Sequence, residues 1–161
     1  MPMTDEQLRD TMNARMSPSA RLLGMQIHEV DSKAGRVLMT FEPRPEFCNP
    51  MGSVQGGFVA AMLDDAAAYA AIIHSGERIA VPTIELKVSF FGPARAGKPL
   101  RVEGRCIKLG KRVAFMEADM FDENGKVLAR LSTSASPMKM GEANLVPPTA
   151  TAAASGSAGD K

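Results

Sequence analysis

Residues 83 to 90 carry the clearest rhythm in the chain. Thr83, Glu85, Lys87 and Ser89 alternate with Ile84, Leu86, Val88 and Phe90, a period of two that predicts a strand with one face on a core. The same alternation sets Leu100, Val102, Gly104 and Cys106 against Arg101, Glu103 and Arg105, and strands are also predicted over 112–121 and 127–135. Turn chemistry separates them: Gly92 to Gly97, Gly110-Lys111, and the hairpin signal Asp122-Glu123-Asn124-Gly125. Four consecutive strands read as a meander. Upstream, Leu22 to Val30 and Arg36 to Phe41 predict a strand pair, and Pro43 and Pro45 break whatever follows.

A helical pattern fills the space between the two groups of strands. From Gln55 to about Ser75 the chain is apolar on all sides, with Phe58, Val59, Met62, Leu63, Ala66, Ala67, Ala70 and Ile73, and only Asp64 and Asp65 are charged before His74. Such a helix is buried on most sides. Gly56-Gly57 opens it and His74-Ser75-Gly76 closes it. A second, moderately amphipathic helix is expected over residues 5 to 16, capped by Thr4 and stopped by Ser17-Pro18. These elements define an α+β fold, one antiparallel sheet curled around the apolar helix. The chain divides into an N-terminal helix (1–20), a core domain (21–140) and a low-complexity tail (141–161).

Composition narrows the partners. At 161 residues one domain is the default, and 45% apolar with 23% charged residues is a globular balance. Nineteen Lys+Arg against eighteen Asp+Glu leave a net charge of +1, so no bulk field recruits nucleic acid or an anionic membrane. Any bound anion needs a local basic cluster. Cys48 and Cys106 read as reduced thiols, with no metal-binding pattern. The N-terminus lacks the basic start and apolar run of a signal peptide, so a cytoplasmic location is expected.

Candidate chemistry concentrates at Cys48-Asn49-Pro50-Met51-Gly52-Ser53-Val54-Gln55-Gly56-Gly57, which leads into the apolar helix. Backbone N–H groups at a helix start opened by glycine suit a carbonyl oxygen that gains negative charge. Asn49 or Gln55 offers an amide donor or a loop brace. A carboxylate in apolar surroundings can serve as base or nucleophile. Adjacent helix positions differ by about 100°, so at least one of Asp64 and Asp65 faces something buried.

Asn49, Gly52, Gln55-Gly56-Gly57 and Asp64, followed by Phe90-Phe91-Gly92-Pro93-Ala94, resemble the hotdog-fold acyl-CoA thioesterases of the phenylacetate-degradation type. The family places Asn six residues before the His of a His-Gly-Gly, and an Asp or Glu nine residues after that His. Both spacings are kept, and the similarity runs from about Leu22 to Met138. The resemblance implies a helix wrapped by a curved sheet, in homodimers or homotetramers with sites at subunit interfaces. By the family motif Asp64 is the base or nucleophile, the Gly56 N–H the oxyanion donor, Asn49 a polar group near the thioester, and Thr83 the residue that orients attacking water. Asp65 has no role in that pattern.

One position departs from it: the motif histidine is Gln55, which can donate a hydrogen bond but cannot titrate. Phe58, Met62 and Met51 are expected to meet the acyl group beside Gly57. Arg95, with Lys108, Lys111 and Arg112 of the following hairpin, is expected to hold the phosphates of coenzyme A, the only cofactor-like group implied and part of the substrate itself. Two readings lead, ahead of a hotdog dehydratase or hydratase, which normally needs a His beside the acid that this sequence does not offer. One is hydrolysis of a medium-chain or aromatic acyl-CoA, without metal; the other is a non-catalytic acyl-CoA or aromatic-ligand binder, motivated by Gln55.

Overall fold

Residues 3–141 are described by the computed structural model. Thr4 caps α1 (Asp5–Ala14) through a capping box with Gln7. Ser17-Pro18 ends that helix but also begins another. Ser17 Oγ accepts from the Ala20 N–H at 3.2 Å, and Pro18 sits in the first turn of α2 (Pro18–Leu22), where its missing donor is harmless. The first strand is therefore shorter than its apolar run, β1 (Gln26–Asp31), paired with β2 (Arg36–Phe41). After α3 (Gly56–Ser75) come β3 (Ile79–Ala80), β4 (Thr83–Phe90), β5 (Leu100–Leu109), β6 (Ala114–Phe121), β7 (Val127–Ala135) and β8 (Met138–Lys139). The short pair β3 and β8 forms a separate ladder with no sequence signal of its own. Of the expected tail, only Gly141 lies among the described residues.

The main sheet is antiparallel, in the order β1-β2-β5-β6-β7-β4. This corrects the meander. β5, β6 and β7 are joined by hairpins, but β4 crosses to the far side of β7 and leaves β5 to pair with β2. Local alternation identifies a strand and not its neighbour, which is decided by how the sheet closes around α3.

The sheet curves around α3, whose Val59, Met62, Leu63, Ala66, Ala67, Ala70, Ala71 and Ile73 are buried. Gly104 on β5 shows how tightly they fit: a Cβ there would lie 2.0 Å from the Ala66 carbonyl oxygen. By length and composition α3 could cross a bilayer, yet its apolar side is spent on the sheet, the use a core helix makes of such a composition. On the opposite face of the sheet Asp119 is buried between Arg130 (2.6 Å) and Arg105 (2.9 Å). Burial pushes its carboxyl up, but the two guanidinium groups outweigh that and hold it below the usual range.

The two outer strands are finished differently. At the β1 edge, Asn13 of α1 donates to the Ile27 carbonyl and accepts from the Ile27 N–H, both at 2.9 Å, as a further strand would. The outer edge of β4 has no strand beside it among the described residues. Ile84, Leu86 and Phe90 of β4 are 60%, 42% and 55% exposed.

Candidate active site

The loop before α3 is built around Asn49. Its Oδ1 accepts the N–H groups of Met51 (3.0 Å) and Ser53 (3.2 Å), and its backbone N–H donates to the Ser53 carbonyl at 2.8 Å. An amide oxygen committed to two donors leaves the Nδ2 hydrogens for something else. The loop is tied down at its end, where Gln55 N–H donates to the Phe47 carbonyl (2.8 Å) and Val54 N–H to the Ala94 carbonyl (2.9 Å).

Gln55 caps α3. Its Oε1 accepts the Gly57 N–H at 2.7 Å, and its backbone carbonyl takes those of Phe58 and Val59. Gly56 N–H is left with no acceptor among the described residues, at the end of the helix where the backbone dipole favours negative charge. The Phe90 ring lies over this glycine: an added Cβ would sit 3.1 Å from Cζ, a tight contact that the ring would have to relieve by shifting slightly. A cavity of about 250 Å³ opens beside these donors, lined by Asn49, Gly56, Val59, Phe90, Met120 and Leu128 among others.

Asp64 lies eight residues further along α3, about 12 Å at ~1.5 Å per residue. Each of its carboxylate oxygens is 3.2 Å from Thr83 Oγ1, so the hydroxyl donates between them. Burial raises the Asp64 carboxyl above its ordinary value, and the Thr83 hydrogen bond partly opposes this. Its neighbour Asp65 is pushed up to about 6 by burial and by the Asp64 charge, and its buried Oδ2 has no hydrogen-bond partner among the described residues.

Comparison with known proteins places this arrangement in a family. A thioesterase superfamily profile matches residues 51–129. A Pseudomonas aeruginosa protein named as an esterase is 31% identical over 104 residues, 65% of this chain and 77% of that protein. The chain belongs to the thioesterase superfamily. Human acyl-coenzyme A thioesterase 13 is 25% identical over 111 residues, 68% of this thioesterase and 78% of the human protein. The crystal structure of a phenylacetic acid degradation-related protein of Ralstonia eutropha is 31% identical, with a TM-score of 0.72 over 80% of this chain and 97% of the other. The sheet wrapped around α3 is the hotdog fold expected from the motif, and thioester hydrolysis is the enzyme class the family carries.

The remaining predicted residues of this thioesterase scatter. Phe58 stacks on Phe47 with ring centroids 4.2 Å apart, Gly57 is exposed, and Met51 is 85% exposed at the tip of its loop. Met62 is fully buried in the core and corrects the expectation of an acyl contact, because its helix position turns it toward the sheet. The expected phosphate cluster is also divided. Arg95 precedes β5, whereas Lys108, Lys111 and Arg112 lie at its other end, about 30 Å away for ten residues at ~3.3 Å each. The cavity residues Met120 and Leu128 carry no signal of their own in the sequence, and Phe90 enters there only through the strand and the family motif, not as a wall of the site. Phe90 belonged to an apolar alternation, and only the folded register, Phe90 opposite Ala129 and Ala129 opposite Met120, brings these strands together.

Proposed function

We propose that this thioesterase hydrolyses a medium-chain or aromatic acyl-CoA at a site shared by two copies of the chain. The observation that carries the reading is the separation of its two halves. Gly56 N–H and Asn49 lie at the Phe90 end of β4, whereas Asp64 is bound to Thr83 at the other end. One thioester cannot reach both within a single chain, given the ~12 Å between Gly56 and Asp64 along α3.

Antiparallel pairing of β4 with β4 of a second copy, across a two-fold axis near mid-strand, removes the difficulty. Thr83 and Asp64 of one chain then lie beside Phe90 and Gly56 of the other. The exposed edge and the apolar Ile84, Leu86 and Phe90 favour this contact, since an unpaired strand is a template for another. Further pairing of such dimers would give the homotetramer.

The carbonyl oxygen of the acyl group accepts from Gly56 N–H, with Asn49 Nδ2 as a nearby donor, and gains charge as water attacks its carbon. Asp64 of the other copy takes the proton of that water, and Thr83 holds the carboxylate in place. The C–S bond then breaks and the thiolate is protonated, giving a free acid and coenzyme A. No metal or other cofactor takes part in this scheme. Burial suits Asp64 to its role, because a desolvated carboxylate is the stronger base. Gln55 has a structural part: its oxygen is committed to Gly57, so it braces the donor turn without carrying a proton. The apolar cavity accommodates an aryl ring or a medium chain.

Asp64→Asn should lower kcat by about 100-fold or more with folding intact. Asn49→Asp keeps the loop-building oxygen and loses the Nδ2 donor, so it should also be impaired. Refolded 1:1 mixtures of these two variants should regain roughly a quarter of wild-type activity, because half the dimers carry one intact site of two. Undiminished hydrolysis by Asp64→Asn would exclude the mechanism. Binding of acyl-CoA by the wild type without any thiol release would favour the non-catalytic reading.

A further inference from the structure

Asp65 takes no part in the water attack assigned to Asp64, yet it is the next residue on α3 and leaves the helix only about 100° away. Both carboxylates are half-buried. Thr83 of β4 donates to Asp64, whereas the buried Oδ2 of Asp65 meets no donor among the described residues. We propose that Asp65 is a positioning residue for hydrolysis: its negative charge, beside Asp64 and with no cation opposite, makes Asp64 the stronger base. This rests on the acyl-CoA reading and deepens it, by giving a part to a residue for which the family motif has none.

Elsewhere the chain neutralises the carboxylate that it buries. Asp119 lies between Arg130 and Arg105, but neither Asp64 nor Asp65 belongs to an ion pair among the described residues. Strands β1 to β7 all pack against α3, and none of them brings a Lys, Arg or His within ion-pair distance of either carboxylate. The groups that face the pair are the Thr83 hydroxyl and, one turn along α3 from Asp65, the phenol of Tyr69. A buried oxygen without a donor costs stability. The neighbour that gains from the uncompensated charge is the base itself.

Like charges act on each other mutually. Burial first and the Asp64 charge second push Asp65 up to about 6, and Tyr69 is raised by burial and then by the Asp65 charge. Because Asp64 is already charged when Asp65 titrates, Asp64 is the first of the two to ionise. As Asp65 then ionises, repulsion raises the affinity of Asp64 for the proton of the attacking water. At neutral pH the base is therefore stronger than burial alone would make it. Gln55 cannot titrate, so it supplies none of this control.

The test is the pH profile of kcat/KM for one acyl-CoA, followed by thiol release between about pH 4 and 8. In the wild type the rate should rise in two steps, first as Asp64 ionises and again, by about 2- to 10-fold, as Asp65 ionises through about 6. Asp65→Asn should lose the upper step and keep the lower one. Asp65→Glu, which retains the charge, should recover it. An upper step that survives in Asp65→Asn, an equal loss at every pH, or Asp65→Glu without the step would overturn the assignment. Carboxyl titration by NMR gives a readout without turnover: Asp64→Asn should lower the Asp65 midpoint by about half a unit or more. An unchanged midpoint refutes the coupling. If the wild type releases no thiol, the acyl-CoA reading falls separately, and the NMR titration still decides whether Asp65 acts on Asp64.

Discussion

The two edges of the sheet have opposite treatments. At β1 the exposed ladder is closed from within the chain: Asn13 supplies one donor and one acceptor to Ile27, and Asp5 accepts from the Ser32 N–H at 3.3 Å. At β4 no strand among the described residues completes the ladder, beside exposed Ile84, Leu86 and Phe90. An open apolar edge is a liability for a monomer. Here the same strand links the two half-sites at its ends, so the edge left open is the one whose pairing would complete the chemistry. The closed edge carries none of the candidate catalytic residues.

The strongest way to break this contrast is to make the open edge resemble a protected one. Ile84→Lys/Leu86→Lys should give a folded monomer by light scattering and circular dichroism, with hydrolysis down about 100-fold or more because each site loses its other half. A dimeric, fully active variant would show that β4 is not the interface. The converse experiment acts on the closed edge. Asn13→Ala removes two hydrogen bonds at Ile27 and should cost about 1–3 kcal/mol in denaturant unfolding, with faster amide exchange at Ile27 and no change in oligomeric state.

The helix beneath the open edge sharpens the comparison further. Asp65 binds protons more readily in the folded chain than its ordinary value of 3.8 allows, about 6 against that value. Between those two pH values the folded state holds more protons, so this group contributes less and less stability as pH rises through about 6. Asp65→Asn should therefore raise Tm at pH 7 to 8, by about 1 kcal/mol in stability, with little gain near pH 4. Asp119 works in the opposite sense: its depressed carboxyl stabilises the fold above its ordinary value, and this is lost as acid protonates it. The smallest effect is expected at the helix start. Gln55→Ala should cost about 0.5–1 kcal/mol through the lost cap to Gly57, read by thermal unfolding. A collapse of kcat without loss of stability would instead give Gln55 a direct part in the chemistry.

Much of the molecule was legible because its signals are local. The period of two at residues 83–90, the all-round apolar run of α3, Gly76 at its end and the hairpin at Asp122–Gly125 each report on a few neighbouring residues, and each element formed where expected. The spacing of Asn49, Gly56 and Asp64 was legible for the same reason. Contacts between distant segments were not. Asn13 against Ile27 spans 14 residues and Thr83 against Asp64 spans 19, and no pattern in either segment names its partner. Met62 was misread because a helix apolar on every side hides which side meets the sheet.

Sequence by itself determined the elements, the family motif, the uncharged replacement at Gln55 and the need for a local basic cluster in a chain of net charge +1. Only the tertiary structure decided that β4 lies beyond β7, that Asp64 and Gly56 stand at opposite ends of it, and that Arg95 is parted from Lys108, Lys111 and Arg112 by the length of β5. The physical reason is that backbone propensity and side-chain period act over one or two turns of chain. Strand order and the meeting of charges depend on how a whole sheet buries one helix, which no local stretch of sequence records.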